Sequence, residues 1–212
     1  GSIRFNTPML WALAFIAEFL IGGVTGLFLG ASGSDIYFHD TYFVLAHFHY
    51  TFFPIAIIAV FAGIYYWYPK MFGRMMNETL GKIHFWGTTL AFNGIFIPLF
   101  ILGAAGQHRR IYSYQHFPEL ARPELQNLRI VATISLVVLL CFQLVFLYNF
   151  VVSLWKGKKA DKNPWRANTL EWTTESPPPH GNFEKLPTVH RGPYEYSHPD
   201  RQEDYWPQDA PA

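Results

Sequence analysis

Residues 130–155 read IVATISLVVLLCFQLVFLYNFVVSLW, a run without a single charged side chain. The run exceeds the roughly 20 apolar residues that a helix needs to cross a bilayer. Three other stretches have the same character, at residues 9–29, 41–68 and 83–102. The sequence therefore predicts an all-α integral membrane bundle with four transmembrane helices.

Charge is distributed unevenly along the 212 residues. Half of the residues are hydrophobic and 15% are charged, and the charges crowd the stretch after residue 155. This segregation predicts a transmembrane region at residues 1–155 and an extended polar tail at residues 156–212. The net charge of +1 argues against nucleic acid as a partner. The single cysteine, Cys141, excludes an intrachain disulfide.

Four spans place both chain ends on one side of the membrane, and basic residues near the spans indicate which side it is. The side of the termini carries more of them than the opposite side: Arg4, Lys70, Arg74, Lys82, Lys156, Lys158 and Lys159, against Arg109, Arg110, Arg122 and Arg129. We therefore expect both termini and the tail on the cytoplasmic side. The turn at residues 30–40 and the loop at 103–129 then share the outer side, where they can meet.

The chemical signal of the chain is the stretch HDTYFVLAHFHY at residues 39–50. His47 and His49 lie in an apolar span, where polar side chains usually face a protein interior, a cavity or a cofactor. A helix turns about 100° per residue, so the two rings point about 200° apart and cannot bind one ion. One helix would thus offer a ligand to each of two cofactors, and imidazole is a common ligand of haem iron. The alternatives are packing histidines or a His-x-His zinc pair.

Together with this stretch, further segments resemble a known family. They are TPMLWALAF (7–15), GGVTG (22–26), SGSDIYFHD (32–40), NETLGKIHF (77–85), QHRRIYSY (107–114) and NPWRANTLEWTTESPPPHGNF (163–183). In order and over nearly the whole chain, they resemble the C-terminal portion of the largest subunit of haem–copper respiratory oxidases. The branch is that of the cytochrome c and quinol oxidases, whose subunit is of the twelve-helix type.

The resemblance implies roles for the two histidines of the motif. His47 is implied as the proximal ligand of a high-spin, oxygen-reducing haem, and it is therefore the catalytic residue of this chain. His49 is implied as one of two axial ligands of a low-spin haem. The implied cofactors are two haems of the a type, a copper ion whose ligands lie elsewhere, and magnesium or manganese.

Five further residues acquire roles through the same resemblance. His39 and Asp40 resemble the ligands of the Mg or Mn ion, and a hard cation suits carboxylate oxygen. Arg109 and Arg110 resemble the pair that binds haem propionates, and Asp35 resembles a residue that hydrogen-bonds a propionate. Asp40 could instead cap the second helix, and the arginines could face lipid headgroups.

The resemblance also shows what the chain lacks. The family's copper takes three histidines from earlier helices, but neither a His-Pro-Glu-Val-Tyr run nor a His-His pair occurs here. We therefore expect the copper ligands to come from an N-terminal part of the same polypeptide or from a separately encoded partner. The chain alone should not reduce oxygen.

The function implied is that of part of a terminal oxidase, in which electrons pass to a haem–copper centre that reduces O2, coupled to proton translocation. Implied partners are other oxidase subunits, membrane lipid, O2 and an electron donor, either cytochrome c or a quinol. The implied location is the bacterial inner membrane, with the mitochondrial inner membrane as the alternative. Competing hypotheses are a non-catalytic di-haem electron carrier and a purely structural four-helix protein.

Glu18, an ionisable residue in the first span, is interpreted as a partner of a polar group on a neighbouring helix or subunit, or as a proton-pathway group.

Overall fold

The computed structural model describes residues 3–196 and 198–211, which contain helices and no strand. The α-helices in those residues are α1 (Thr7–Gly30), α2 (Ser32–Phe38), α3 (Tyr42–Phe53), α4 (Ala59–Phe72), α5 (Glu78–Ala104) and α6 (Pro123–Lys156). Shorter helical turns occupy Pro54–Ile58, Tyr114–His116 and Leu170–Trp172. The prediction of an all-α fold is confirmed.

Four segments of the described chain are long and apolar enough to cross a membrane: Thr7–Gly30, Tyr42–Phe72, Glu78–Ala104 and Pro123–Lys156. The predicted number of spans is therefore confirmed. The third begins earlier than the sequence suggested, because Asn77 caps α5 by accepting a hydrogen bond from Leu80 N at 3.0 Å. Glu78 and Lys82 precede the predicted start of this span at residue 83. They lie one helical turn apart on α5, with Lys82 Nζ 3.6 Å from Glu78 Oε1.

The second span is divided at Pro54, where α3 ends. Proline has no N–H to donate to the preceding turn, and a wider turn at Pro54–Ile58 takes up the mismatch before α4 begins. The span stops at Gly73, whose φ of 65° lies in the left-handed region that glycine adopts without strain.

Close helix contacts depend on residues without side chains. A Cβ atom at Gly103 of α5 would overlap the backbone of Phe43 in α3, and one at Gly87 would overlap the ring of Phe142 in α6. Small residues at interfaces let helices approach each other closely in lipid, where the hydrophobic effect contributes little to helix association. Of the 18 most apolar consecutive residues in each helix, 56% are buried in α5 and 0% in α6. The central helix is therefore α5.

The segment at residues 30–40 was expected to be a turn, and this was wrong in part. It contains α2, which starts when the carbonyl oxygen of Ala31 accepts hydrogen bonds from Ser34 N and Asp35 N, at 3.0 and 2.9 Å. A seven-residue helix is too short to show an apolar period, which explains why the sequence pattern did not reveal it.

The tail beyond α6 folds back onto the end of α4. The Lys70 ammonium donates to the carbonyl oxygens of Lys162, Thr174 and Glu175 at 3.1, 2.8 and 3.3 Å. Trp172 is buried beside it, with its ring centre 5.0 Å from the Lys70 nitrogen. In its described residues the tail is therefore a layer that Lys70 holds by hydrogen bonds to main-chain carbonyls, and its only helical segment is the short turn at Leu170–Trp172.

Candidate functional site

His47 and His49 leave α3 on opposite flanks. His47 Nδ1 lies 3.1 Å from the hydroxyl oxygen of Thr25 in α1. The ring of His49 stacks on Phe96 in α5, with centroids 4.4 Å apart and 21° between the planes. The two imidazoles thus face different helices, and each is partly exposed.

The contacts of Thr25 determine the tautomer of His47. The Thr25 hydroxyl lies 2.9 Å from the carbonyl oxygens of Ile21 and Gly22, which can only accept, so its proton goes to them. Its lone pair is then available to accept from His47 Nδ1–H. His47 Nδ1 is thereby tied to α1, and its Nε2 has no hydrogen-bond partner among the described residues.

Gly26 provides the space in which this ring lies. A Cβ atom at Gly26 would be 3.0 Å from His47 Cε1 and 3.6 Å from Nε2. The separation from Cε1 is tighter than ordinary van der Waals contact, so a side chain at residue 26 would displace the imidazole by a few tenths of an ångström. Gly26 and Thr25 together set the direction in which His47 Nε2 points.

His49 reaches the same state by a local contact. Its Nδ1 lies 2.7 Å from the carbonyl oxygen of Leu45, one turn earlier on α3. A carbonyl only accepts, so Nδ1 carries the proton and donates it. Nε2 is again without a hydrogen-bond partner in the described residues. Phe48 lies against this ring at 4.3 Å.

The donor set fits haem iron on both flanks. Iron takes the neutral imidazole nitrogen, and ligating histidines usually donate their other N–H to a carbonyl or similar acceptor, which fixes the ring. His47 and His49 both have this arrangement. Their rings diverge, so the structure offers one ligand to each of two groups.

At one end of the bundle, α2 and the start of α3 bring three predicted residues together. His39 Nδ1 lies 3.6 Å from an Asp35 carboxylate oxygen, and His39 Nε2 lies 3.6 Å from one of Asp40. The described residues contain no group of three or more His, Cys, Asp or Glu side chains arranged to hold a metal. His39 and Asp40 could therefore supply part of a cation site, with the other ligands from water or another chain.

The alternative interpretation of Asp40 as a helix cap is wrong. The cap of α3 is Thr41, whose hydroxyl oxygen accepts from Phe43 N at 3.2 Å. Asp40 has a φ of 55°, a conformation that Asp tolerates better than most residues. Its carboxylate is consequently left free of a capping role.

The loop after α5 docks against this same end. Arg109 N donates to the Asp40 carbonyl oxygen at 2.9 Å, and Tyr42 N donates to the Gln107 carbonyl oxygen at 2.9 Å. Arg109 Nε also lies 3.6 Å from an Asp40 carboxylate oxygen. Arg110, with a φ of 63°, is exposed. The structure therefore brings Arg109 to Asp40, whereas Arg110 has no ion pair among the described residues.

Sequence reasoning missed the residues that hold these groups. Thr25 was read only as part of the GGVTG segment, and its signal was a hydroxyl in an otherwise apolar span. Gln107 was not singled out, yet its side-chain oxygen accepts two hydrogen bonds from Arg129, at 2.9 and 2.7 Å. Arg129 had been counted only as a loop cation, whereas its contacts brace the docked loop.

Comparison with known proteins gives the family. The sequence model of the family described as Cytochrome C and Quinol oxidase polypeptide I matches residues 1–138. The chain belongs to this family. It is 45% identical over 196 residues to cytochrome c oxidase subunit 1 of Synechocystis sp., covering 92% of this chain and 34% of that protein.

Other relatives of this cytochrome c and quinol oxidase family agree. The alternative cytochrome c oxidase subunit 1 of Bradyrhizobium diazoefficiens is 45% identical over 213 residues, which is 100% of this chain and 36% of that protein. The chain spans about a third of the length of these curated relatives. A solved heme-copper terminal oxidase dimer shares the fold, with a TM-score of 0.62 and 20% identity over 73% of this chain and 28% of that chain. Together with the four spans, family membership makes the chain an integral membrane protein.

Proposed function

We propose that this chain is the haem-holding C-terminal part of subunit I of a terminal respiratory oxidase. In that complex, electrons pass from a low-spin haem to a high-spin haem–copper centre that reduces O2 to water, coupled to proton translocation. The observation that carries the proposal is the pair of imidazoles on opposite flanks of α3, each held through Nδ1. Family membership supports the same role.

His47 would hold the high-spin haem and His49 the low-spin haem. Once bound, these cofactors supply reversible one-electron iron chemistry and, on the His47 side, the site for O2. The task of the chain is orientation: Thr25 fixes the His47 ring and the Leu45 carbonyl fixes the His49 ring. Hydrogen bonds donated by Nδ1–H also raise the basicity of Nε2, which strengthens it as a ligand.

The outer end of the bundle would carry charge above the haems. Arg109, Arg110 and Asp35 are proposed to meet haem propionates, and His39 with Asp40 to hold Mg or Mn. Arg109 is preorganised for this role, because its main chain is tied to Asp40. Arg110 is exposed and would have to be ordered by the propionate itself.

Copper ligands would come from an N-terminal part of subunit I, and other subunits and lipid would surround the bundle. The electron donor would be cytochrome c or a quinol. We place residues 156–212 and both termini on the cytoplasmic side of a bacterial inner membrane, with the transmembrane part at 1–155. The excess of cations at that end supports this sidedness.

Carbon monoxide binding to the reduced, assembled complex tests the proposal. We expect one haem to bind carbon monoxide and one to stay six-coordinate, because the haem that His47 would hold is proposed to supply the O2 site and the haem that His49 would hold is proposed only to carry electrons. Two six-coordinate haems without carbon monoxide binding would instead identify a di-haem electron carrier. A complex without haem after gentle purification would identify a structural protein.

A further inference from the structure

A carboxyl group lies on the packed face of α1. The buried residues of this helix share one face: Thr7, Pro8, Trp11, Ala14, Glu18 and Gly22. Glu18 is only 4% exposed. One turn later, a Cβ at Gly22 would be 2.7 Å from the main chain of Tyr50, so this face lies directly against α3. Glu18 is therefore inside the bundle that this chain forms by itself.

One oxygen of Glu18 belongs to a chain of hydrogen bonds. Asn93 Nδ2 on α5 donates to Glu18 Oε1 at 2.6 Å and to the Thr89 carbonyl oxygen at 2.9 Å. The Tyr50 hydroxyl donates to Asn93 Oδ1 at 2.7 Å. Because the Thr89 carbonyl can only accept, the orientation of the Asn93 amide is fixed. Glu18 Oε1 thus receives one hydrogen bond, from an uncharged donor.

The other oxygen of Glu18 has no such contact. Oε2 is buried and has no hydrogen-bond partner among the described residues. No Lys, Arg or His forms an ion pair with Glu18 within the described part of the chain. The titratable groups that pack against α1 include His47, Glu78 and His84, which contact Thr25, Thr7 and Trp11 and not the carboxyl. The Tyr50 hydroxyl is linked to Glu18 only through Asn93.

These contacts suit a neutral acid better than an anion. A carboxylate offers about four acceptor positions and needs several donors or a cation when it is removed from water. A single amide donor in an apolar span leaves that demand unmet. A protonated carboxyl carries no charge and accepts on Oε1, so an Oε2 without a partner leaves much less demand unmet for the acid than for the anion.

We propose that Glu18 is a proton-binding site in the interior of the membrane bundle. The acid proton sits on Oε2, while Oε1 accepts from Asn93, and Asn93 with Tyr50 ties the group to α3. Proton uptake at this site converts a carboxylate to a carboxylic acid, with no other bond made or broken. The inference does not depend on the proposed oxidase activity.

Infrared spectroscopy of the assembled complex tests this assignment directly. The spectrum of the unsubstituted complex minus that of Glu18→Gln should contain a C=O stretching band of a protonated carboxylic acid. The matched control is Glu78→Gln, since the Glu78 side chain is 46% exposed and lies near Lys82; its difference spectrum should show a carboxylate band instead. A carboxylate band, or no carboxyl band, in the Glu18 difference would overturn the proposal.

A second variant keeps the test independent of how well Glu18→Gln folds. Asn93→Leu retains Glu18 but removes the hydrogen bond to Oε1. The C=O band of Glu18 should then move to higher frequency, because a free carbonyl is stiffer than a hydrogen-bonded one. An unmoved band, or the absence of any protonated carboxyl band, would overturn the proposal.

Discussion

The two flanks of α3 hold similar imidazoles by different means. On the flank of His47, the ring is fixed by Thr25, a side chain of another helix. On the flank of His49, it is fixed by Leu45, a carbonyl of α3 itself, with Phe96 stacked beside it. His47 therefore depends on how α1 packs against α3, whereas His49 needs little more than an intact helix.

This difference has a structural origin in the glycines of α1. Gly22 and Gly26 both lie against α3, at Tyr50 and at His47, whereas Gly23 has open space around its Cβ position. Packing between helices in lipid depends on such small residues. We expect changes on α1 to disturb the His47 flank selectively, and the following experiments either separate the two flanks or show that they act as one.

Removing the ligands should have the largest effect. In the assembled complex, His47→Ala should lose the carbon monoxide-binding haem, and His49→Ala should lose the six-coordinate haem, because each ring is proposed to hold a different iron. Haem content and reduced spectra measure this. His108→Ala, an exposed histidine, is the control and should keep both. Retention of both haems in either ligand variant would contradict the assignment.

The next largest effect should come from Gly22→Ala in α1, and the adjacent Gly23 offers a matched control. Gly22→Ala places a methyl group 2.7 Å from the Tyr50 main chain, so α1 must move away from α3. Overpacking of this kind costs about 1–3 kcal/mol. We expect a lower thermal midpoint of the complex and a disturbed His47 haem.

Gly23→Ala is the control for that variant, since nothing lies within 4 Å of its Cβ position. It should leave the midpoint nearly unchanged, because alanine is also the better helix former. Equal destabilisation by the two variants would show that the α1–α3 contact is not the sensitive one.

A smaller effect should follow from Thr25→Val, which keeps the shape of the side chain but removes the hydroxyl. The loss of one hydrogen bond costs about 1 kcal/mol and frees the His47 ring to rotate. The iron–histidine stretching frequency of the high-spin haem should change, while the spectrum of the low-spin haem stays the same. Thr25→Ser should restore the frequency. A failure to restore it would show that the Thr25 hydroxyl does not fix the His47 ring.

Phe96→Leu should give the smallest change. It removes a ring contact worth about 0.5–1.5 kcal/mol, but the hydrogen bond from His49 to Leu45 remains. We expect a small shift in the electron paramagnetic resonance spectrum of the low-spin haem and unaltered carbon monoxide binding. A larger response at the other haem would mean that the flanks are coupled through α5.

The sequence was informative where the signal is local. Apolar runs predicted the four spans, and the spacing of His47 and His49 predicted rings on opposite flanks. Contacts between distant segments were harder. The role of Thr25 depends on α1 lying beside α3, and that of Asn93 on α5 lying beside α1, at 22 and 75 residues from their partners. No local period encodes such pairings.

Local chemistry also explains the errors at helix ends. Asp40 has the residue type of a cap, but its left-handed φ of 55° leaves Thr41 to cap α3. Charged residues at the start of α5 suggested a loop, although Glu78 and Lys82 face each other on a helix. A residue's type indicates what it can do, while the backbone conformation decides whether it does so.

Anomalous X-ray scattering at the iron edge locates iron in the assembled complex and tests most directly whether His47 and His49 hold separate haems. We predict two iron positions, one next to Nε2 of His47 and the other next to Nε2 of His49, on opposite sides of α3. A single iron shared by both rings, or rings without iron beside them, would contradict this prediction.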